Sequence, residues 1–391
     1  MKRRQIIGLA ALAGAAIWLG ACGRQDAPET AQTAAGGEEV VRLGFAAPLT
    51  GPQAHYGKEM QNGITLAIEE INAAKPRIGG RAVRFDLLAE DDQADPKQGT
   101  AVAQKLVDAG IRGMLGHFNS GTSIPASKIY ADHGIPQIAM ATAPAYTQSG
   151  YKTAFRAMTN DVQQGSVMGR FAVDKLGAKR IAIIDDRTAY GQGLADEFEK
   201  AARAAGAQIV KREYTSDKAT DFMAILTSIK AARAEAIFYG GADAQAGPMV
   251  RQIRQLGLEA KFLGGEMVKS PTFVKLASDA AEGTIASLAG LPLAQMPGGK
   301  DYEARYKARF KEEVQIYSPY AYDAARVMVA AMQGADSTEP AKYLPLLAKT
   351  EAAGVTSARI AYDERGDLKE GTITVYKVEA GDWKVVEAVG R

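Results

Sequence analysis

The chain has 391 residues, a length suited to two domains rather than one. With 47% hydrophobic and 24% charged residues it has the composition of a soluble globular protein, which excludes a multi-span membrane chain and a disordered one. Its 47 basic and 45 acidic residues nearly balance, its single Cys excludes a disulfide framework or multi-cysteine metal cluster, and its three His, none in an HExxH spacing, argue against a histidine-rich metal site.

Residues 1–22 read MKRRQIIGLAALAGAAIWLGAC. A basic start precedes an apolar run from Ile6 to Leu19, the layout of an export signal over residues 1–21. The run is about 14 residues, short of the ~20 that a bilayer span needs. It ends in Leu19-Gly20-Ala21-Cys22, which resembles a bacterial lipobox, in which the Cys is lipidated and becomes the new N-terminus. Cleavage after an A-x-A-like site, or a buried structural Cys, are the plainer readings. Arg3-Arg4-Gln5 is only faintly like a twin-arginine signal. Without residues 1–21 the chain has 44 basic and 45 acidic residues, so no basic field remains to attract nucleic acid. Residues 22–38 lack apolar periodicity and read as a flexible tether to the membrane.

From residue 40 strands and helices alternate. Val40–Ala46 has the length of a buried strand. Met60, Ile64, Ala67, Ile68 and Ile71 then fall on one helical face of residues 57–72. Val83, Phe85 and Leu87 alternate as a half-buried strand does. Asp95-Pro96 opens a helix, by N-cap and Pro at the first position, and Gly110 closes it. Strand patterns recur at 111–115, 135–139, 180–184, 208–214, 236–239 and 261–263, mostly with helical stretches between them. This alternation predicts parallel α/β sheets with right-handed crossovers. It runs for about 250 residues, enough for two lobes. A (β/α)8 barrel is the main competitor, and the consecutive strands 372–378 and 383–388 argue against it.

Few motifs carry chemistry. Gly191-Gln192-Gly193 follows a strand, but Asp196 occupies the third glycine position of a dinucleotide fingerprint, and no phosphate-binding GxxxxGK[ST] loop occurs. Ser120 lies near His117 and Asp132, yet GHFNSG is not the GxSxG of a nucleophile elbow. Ser120, Gly121, Thr122 and Ser123 sit between a strand and a helix predicted to start near Ile124. Their hydroxyls and free N–H groups suit a carboxylate, or they cap a helix and bind nothing. Ala141-Thr142-Ala143-Pro144 repeats the arrangement after the next strand. Asp185, Asp186, Tyr190 and Gly191, then Gly240–Asp243, then Gly264-Gly265-Glu266 occupy corresponding strand ends in the second half, where open α/β sheets bind ligands. No carboxylate set has metal-like spacing.

Seven segments together resemble the substrate-binding proteins of branched-chain amino acid ABC transporters, the Leu/Ile/Val-binding family with the type I periplasmic-binding fold. They are GPQAHYGKEM (51–60), DDQADPKQGTAVAQKLV (91–107), GHFNSGTSIPAS (116–127), ATAPAYTQSGY (141–151), RIAIIDDRTAYGQGLA (180–195), FYGGAD (238–243) and YDERGDLK (362–369). The resemblance implies two Rossmann-like lobes joined by three crossovers, with lobe I at 39–160 plus 290–369 and lobe II at 161–289 plus 370–391. It implies an amino acid, branched-chain or otherwise apolar, trapped in the interlobe cleft. Ser120, Ala141 and Thr142 would hold it from lobe I, while Tyr190 and Glu266 close from lobe II with Glu266 opposite the ammonium. Tyr56, Phe118, Asn119 and Tyr320 would line the side-chain pocket. A membrane permease is the implied partner, with no cofactor or metal, a monomeric chain, a lipid at Cys22 as its only membrane attachment, and no catalysis.

Two departures bear on the ligand. The family's usual aromatic after Gly-Gly is Ala242 here, which leaves a larger pocket or a different contact, with Asp243 the candidate. The disulfide of well-known members is absent, its positions matching Ala94 and Asn119. A receptor for another small carboxylate or amide is the alternative within the fold. An exported α/β enzyme is the alternative outside it.

Overall fold

The computed structural model describes residues 38–390, so the signal, Cys22 and all but the last residue of the tether lie outside the described residues. The strands are β1 (Glu39–Ala47), β2 (Arg77–Ile78), β3 (Arg81–Asp91), β4 (Gly113–Gly116), β5 (Gln137–Ala139), β6 (Ala154–Arg156), β7 (Arg180–Asp185), β8 (Gln208–Tyr214), β9 (Ala236–Gly240), β10 (Lys261–Gly264), β11 (Ile285–Ala289), β12 (Glu351–Ala352), β13 (Ile360–Ala361), β14 (Thr372–Glu379) and β15 (Asp382–Gly390). Between them run α1 (Ala54–Ala73), α2 (Pro96–Asp108), α3 (Ser120–Asp132), α4 (Ala145–Gln148), α5 (Asp161–Arg170), α6 (Ala189–Ala204), α7 (Met223–Ala231), α8 (Asp243–Gln255), α9 (Pro271–Ala277), α10 (Gly299–Phe310), α11 (Ser318–Gly334) and α12 (Pro340–Leu347).

Two large sheets result. The first has the order β2-β3-β1-β4-β5-β6 and the second β15-β14-β11-β10-β9-β7-β8. Strand β1 sits between β3 and β4, parallel to both, which is why its run Leu43–Ala47 is buried throughout. Two separate sheets exclude the single barrel. The second sheet ends in an antiparallel hairpin, β14–β15, turning at Ala380 and Gly381, both at positive φ.

The chain crosses between the sheets three times. It leaves β6 for α5, which packs on α6, β11 and β14 of the second sheet. It leaves β11 for α10 and α11, which return to pack on α1 of the first. It then passes from the Tyr362–Leu368 bridge into β14.

Local signals explain the helices. Asp95 caps α2 by accepting from the N–H groups of Lys97 (2.8 Å) and Gln98 (3.0 Å), and Gly110 (φ +74°) follows its end. In α1, Met60, Ile64, Ala67, Ile68 and Ile71 are all buried. Helix α3 differs from expectation. It begins at Ser120 rather than near Ile124, so Pro125 lies in its second turn and the four residues 120–123 form its first. The extended Asn119 starts the helix earlier, so the residues read as a strand-to-helix connection are its first turn. None of the helices among the described residues is long and apolar enough to cross a membrane.

Candidate functional site

The carboxyl ends of the first-sheet strands form one wall. Strand β4 leads through His117 and Phe118 to Asn119 and α3, and β5 leads to Ala141 and Thr142. The two loops are tied by Met140 N–H donating to the His117 carbonyl (3.1 Å) and by Ala143 N–H donating to Ser120 Oγ (3.2 Å). Behind them lies Arg156, a fully buried guanidinium that the sequence reading missed. It donates to the carbonyls of Ala141 and, at 3.1 Å, Ala143, and its Nε donates to Asp367 (2.7 Å). Five fixed donors on one residue leave these carbonyls facing backwards, away from the cleft side of the loop. Ser120, Ala141 and Thr142 are all buried beside the start of α3, whose first N–H groups have no helical partner. This wall suits an anionic group.

His117 does not serve Ser120 as a base. Its Nδ1 meets Asp92 (2.7 Å) and its Nε2 meets the Tyr130 hydroxyl (3.1 Å), so both nitrogens are engaged within the first sheet. Likewise Gly191 and Gly193 lie inside α6, where a Cβ on Gly191 would fall 2.5 Å from the Gly240 carbonyl. That glycine allows helix–strand packing rather than a nucleotide loop. Asp186 is structural too: it accepts from Thr188 N–H (2.9 Å) and Oγ1 (2.6 Å), and burial pushes its pKa up to about 6.

Glu266 dominates the opposite wall and is 3% exposed. Gln164 donates to its Oε2, Ser287 Oγ orients that amide by donating to Gln164 Oε1 (2.8 Å), and Thr142 Oγ1 reaches across from the first wall at 3.4 Å. The hydroxyl of Tyr190 lies over Gly265, only 2.4 Å from where a Cβ would be. The glycines before Glu266 therefore admit the side chains of Tyr190 and, at Gly264, Val268. Asp161, the first residue of α5, adds a second carboxylate that the sequence reading missed. It is fully buried and neither oxygen has a hydrogen bond, although Thr142 and Gln164 lie close enough to favour its charge. Burial, and then the charge of Glu266, push Asp161 well above the usual carboxylate range. Burial also raises Glu266, with its hydrogen-bond donors opposing. Two crowded carboxylates without a cation are a place for one.

A third region is aromatic. The rings of Tyr56, Phe118 and Tyr317 meet at centroid distances of 5.4 Å (Tyr56–Phe118), 5.5 Å (Tyr56–Tyr317) and 4.8 Å (Phe118–Tyr317). Tyr317 is placed by the buried carboxylate of Glu59 on α1, which accepts from the N–H groups of Gln315 (2.9 Å), Ile316 (2.8 Å) and Tyr317 (3.1 Å). Tyr56 donates across to the Met267 carbonyl (2.6 Å), and His55 meets Asp243 across the same gap at 3.0 Å. Asn119, the N-cap of α3, donates to Gln53 (2.7 Å), while its Oδ1 is a buried orphan. Tyr320 lies elsewhere: its hydroxyl donates to the Ala289 carbonyl (2.5 Å), at the crossover after β11. The residue that joins the aromatic group is Tyr317, the N-cap of α11, three residues earlier. A reading by matched motif had no reason to prefer it. Asp161 was more accessible, because Asn160 is a clear N-cap and an acid follows it. No cluster of His, Cys, Asp and Glu among the described residues has the arrangement of a metal site.

Comparison with known proteins agrees with this architecture. A profile of the periplasmic binding protein family matches residues 40–382. Leu/Ile/Val-binding protein homolog 1 of Brucella suis is 35% identical over 345 residues, which cover 87% of this chain and 91% of that protein. The leucine-, isoleucine-, valine-, threonine-, and alanine-binding protein of Pseudomonas aeruginosa is 34% identical over 342 residues, covering 87% and 90%. A solved structure, the branched-chain amino acid transporter substrate binding protein of Streptococcus pneumoniae in complex with isoleucine, matches with a TM-score of 0.79 at 25% identity, covering 90% of this chain and 99% of that one. With the profile spanning both sheets from β1 to the start of β15, the chain belongs to the periplasmic binding protein family, whose members work outside the cytoplasm.

Proposed function

We propose that the protein is the substrate-binding component of an ABC transporter, capturing an α-amino acid between its two lobes and delivering it to a membrane permease. The observation that carries this is the opposition of two walls. Ser120, Thr142 and the first turn of α3 offer donors, while Glu266 and Asp161 offer buried negative charge. A zwitterion matches both, since each charge must meet a partner when it leaves water. The named ligands of the relatives, Leu, Ile and Val among them, belong to the same class. Ser120 has no base in His117, whose two nitrogens meet Asp92 and Tyr130, and this supports release of the ligand unchanged.

The moving bodies are lobe I, 39–160 plus 290–369, and lobe II, 161–289 plus 370–391. The chain works as a monomer tethered through a lipid at Cys22. A Cys22→Ala variant should stay unprocessed at this site or leave the membrane fraction. Membrane fractionation in the wild-type processed form would refute the anchor.

Calorimetry with Leu, Val, Phe and Ala, and with their keto acids, tests the ligand class. Glu266→Ala should cost roughly 2–5 kcal/mol of binding, or about 30- to several-thousand-fold in affinity. Equal affinity of both proteins for the best ligand would remove Glu266 from the site. A preference for keto acids would replace the amino acid reading with that of another small carboxylate.

A further inference from the structure

We infer that Asp243 sets side-chain specificity, favouring an α-amino acid whose side chain carries a neutral hydrogen-bond donor, a hydroxyl or an amide, over its all-carbon isostere. This rests on the amino acid reading above and deepens it.

An acid in the first turn of a helix is common, and Asp243 opens α8. A helix-start acid normally faces water, whereas Asp243 is fully buried (0% exposed). Its Oδ2 is doubly engaged, by Ser270 Oγ at 2.6 Å and His55 Nε2 at 3.0 Å. Ser270 also accepts from Phe273 N–H (2.9 Å), so its single proton is directed at Asp243 and locks the carboxylate's orientation. The second oxygen, Oδ1, accepts no hydrogen bond: the Tyr56 hydroxyl lies close to the carboxylate but spends its proton on the Met267 carbonyl. The residue before it, Ala242, ends at Cβ and leaves the approach open where the family resemblance implies an aromatic.

The surroundings place this oxygen at the side-chain end of the cleft. His55 is adjacent in sequence to Tyr56, and their rings lie 3.9 Å apart. Tyr56 packs on Tyr317, whose hydroxyl is a second buried orphan, and Phe118 leads to Asn119, whose Oδ1 is a third. The charge of Asp243 reaches both the Tyr56 and Tyr317 hydroxyls and helps hold them protonated. A purely aliphatic side chain would bury three polar atoms without partners. A site that holds an unpaired acceptor discriminates strongly against a ligand lacking the donor. His55 and Ser270 already engage the other oxygen of the carboxylate, which leaves one acceptor for a neutral donor on the ligand.

The test is calorimetry on the mature protein with two isosteric pairs, Thr against Val and Asn against Leu, with Lys added. Wild type should bind Thr over Val and Asn over Leu by about tenfold or more, and Lys more weakly than Asn. Asp243→Leu should bring both ratios to about one or below, and Asp243→Asn, which keeps the shape if the Leu variant fails to fold, should reduce them. Val at least equal to Thr with Leu at least equal to Asn would overturn the inference while leaving amino acid binding intact. Ratios unchanged in Asp243→Asn, or Lys bound best, would also overturn it. Failure of every amino acid to bind would instead bring down the underlying function.

Discussion

Glu266 and Asp161 form one electrostatic unit, and its pH dependence follows from their raised pKa values. In the buried arrangement described, without ligand, this pair holds more protons above the ordinary carboxylate range than it does in the unfolded chain. Its contribution to stability is therefore present at acid pH and lost as pH rises through the raised values. A ligand ammonium reverses this, because it favours the charged carboxylates and expels a proton. Affinity should therefore increase with pH, by roughly a decade per pH unit below the raised values. Calorimetry in buffers of different ionisation enthalpy should register proton release of up to about one. Asp161→Asn should reduce both effects. Affinity constant between about pH 5 and about pH 8, with no buffer dependence, would sink the idea. Much of the wall that Glu266 belongs to was legible in the sequence, since strand ends followed by Gly, hydroxyl or acidic residues mark such sites. Gln164 was not, and Asp161 only as an acid opening a capped helix, because both enter from a crossover helix whose face depends on how the lobes meet.

At the level of elements, what holds the cradle is a set of buried side chains that cross between segments distant in sequence. Arg156 on β6 fastens the β5–α4 loop, and Asp367 in the third crossover receives Arg156 (2.7 Å), Thr147 (3.0 Å) and Asn160 (3.4 Å). Arg156 N–H also donates to the Gly366 carbonyl (2.9 Å), where Gly366 takes φ +90° and a Cβ would strike the Ala154 carbonyl. One ionic cluster thus joins the ligand-facing loop to two of the three crossovers. Glu59 does the same for α11, fixing the register that presents Tyr317. The strong strands and the capped helix α2 were legible because their signals are local. The short β6 and the buried run of β11 carry no alternation to detect, and the start of α3 is obscured because Asn119 makes no side-chain cap bond and the first turn is small and polar. Long-range partners such as Asp367 for Arg156 leave no periodic trace, so they emerge only when the fold brings them together.

Across the whole molecule, the alternation of strands and helices was enough to argue for two α/β lobes, and the closing hairpin was enough to argue against a barrel. Among the described residues the polar bonds across the cleft include Tyr56 to Met267, His55 to Asp243, Thr142 to Glu266 and Asp161 N–H to the Thr142 carbonyl. They hold the two walls together in the arrangement described. Against them stands the burial of Asp161, Asp243 and the orphan Tyr317 hydroxyl at the meeting of the walls, which would recover water if the lobes part. An open form therefore competes in the ligand-free protein, and ligand should shift the population toward the closed one, because only the closed form contacts the ligand from both walls. Moving such an equilibrium from about 1:99 to about 99:1 needs roughly 5.5 kcal/mol of differential binding. An ammonium paired with Glu266 supplies roughly 2–5 kcal/mol of that. Small-angle scattering should accordingly register a smaller radius of gyration at saturating ligand in wild type, with only partial compaction in saturated Glu266→Ala. No compaction of wild type would refute closure as the mechanism, and full compaction of Glu266→Ala would show that the second wall grips the ligand through other residues.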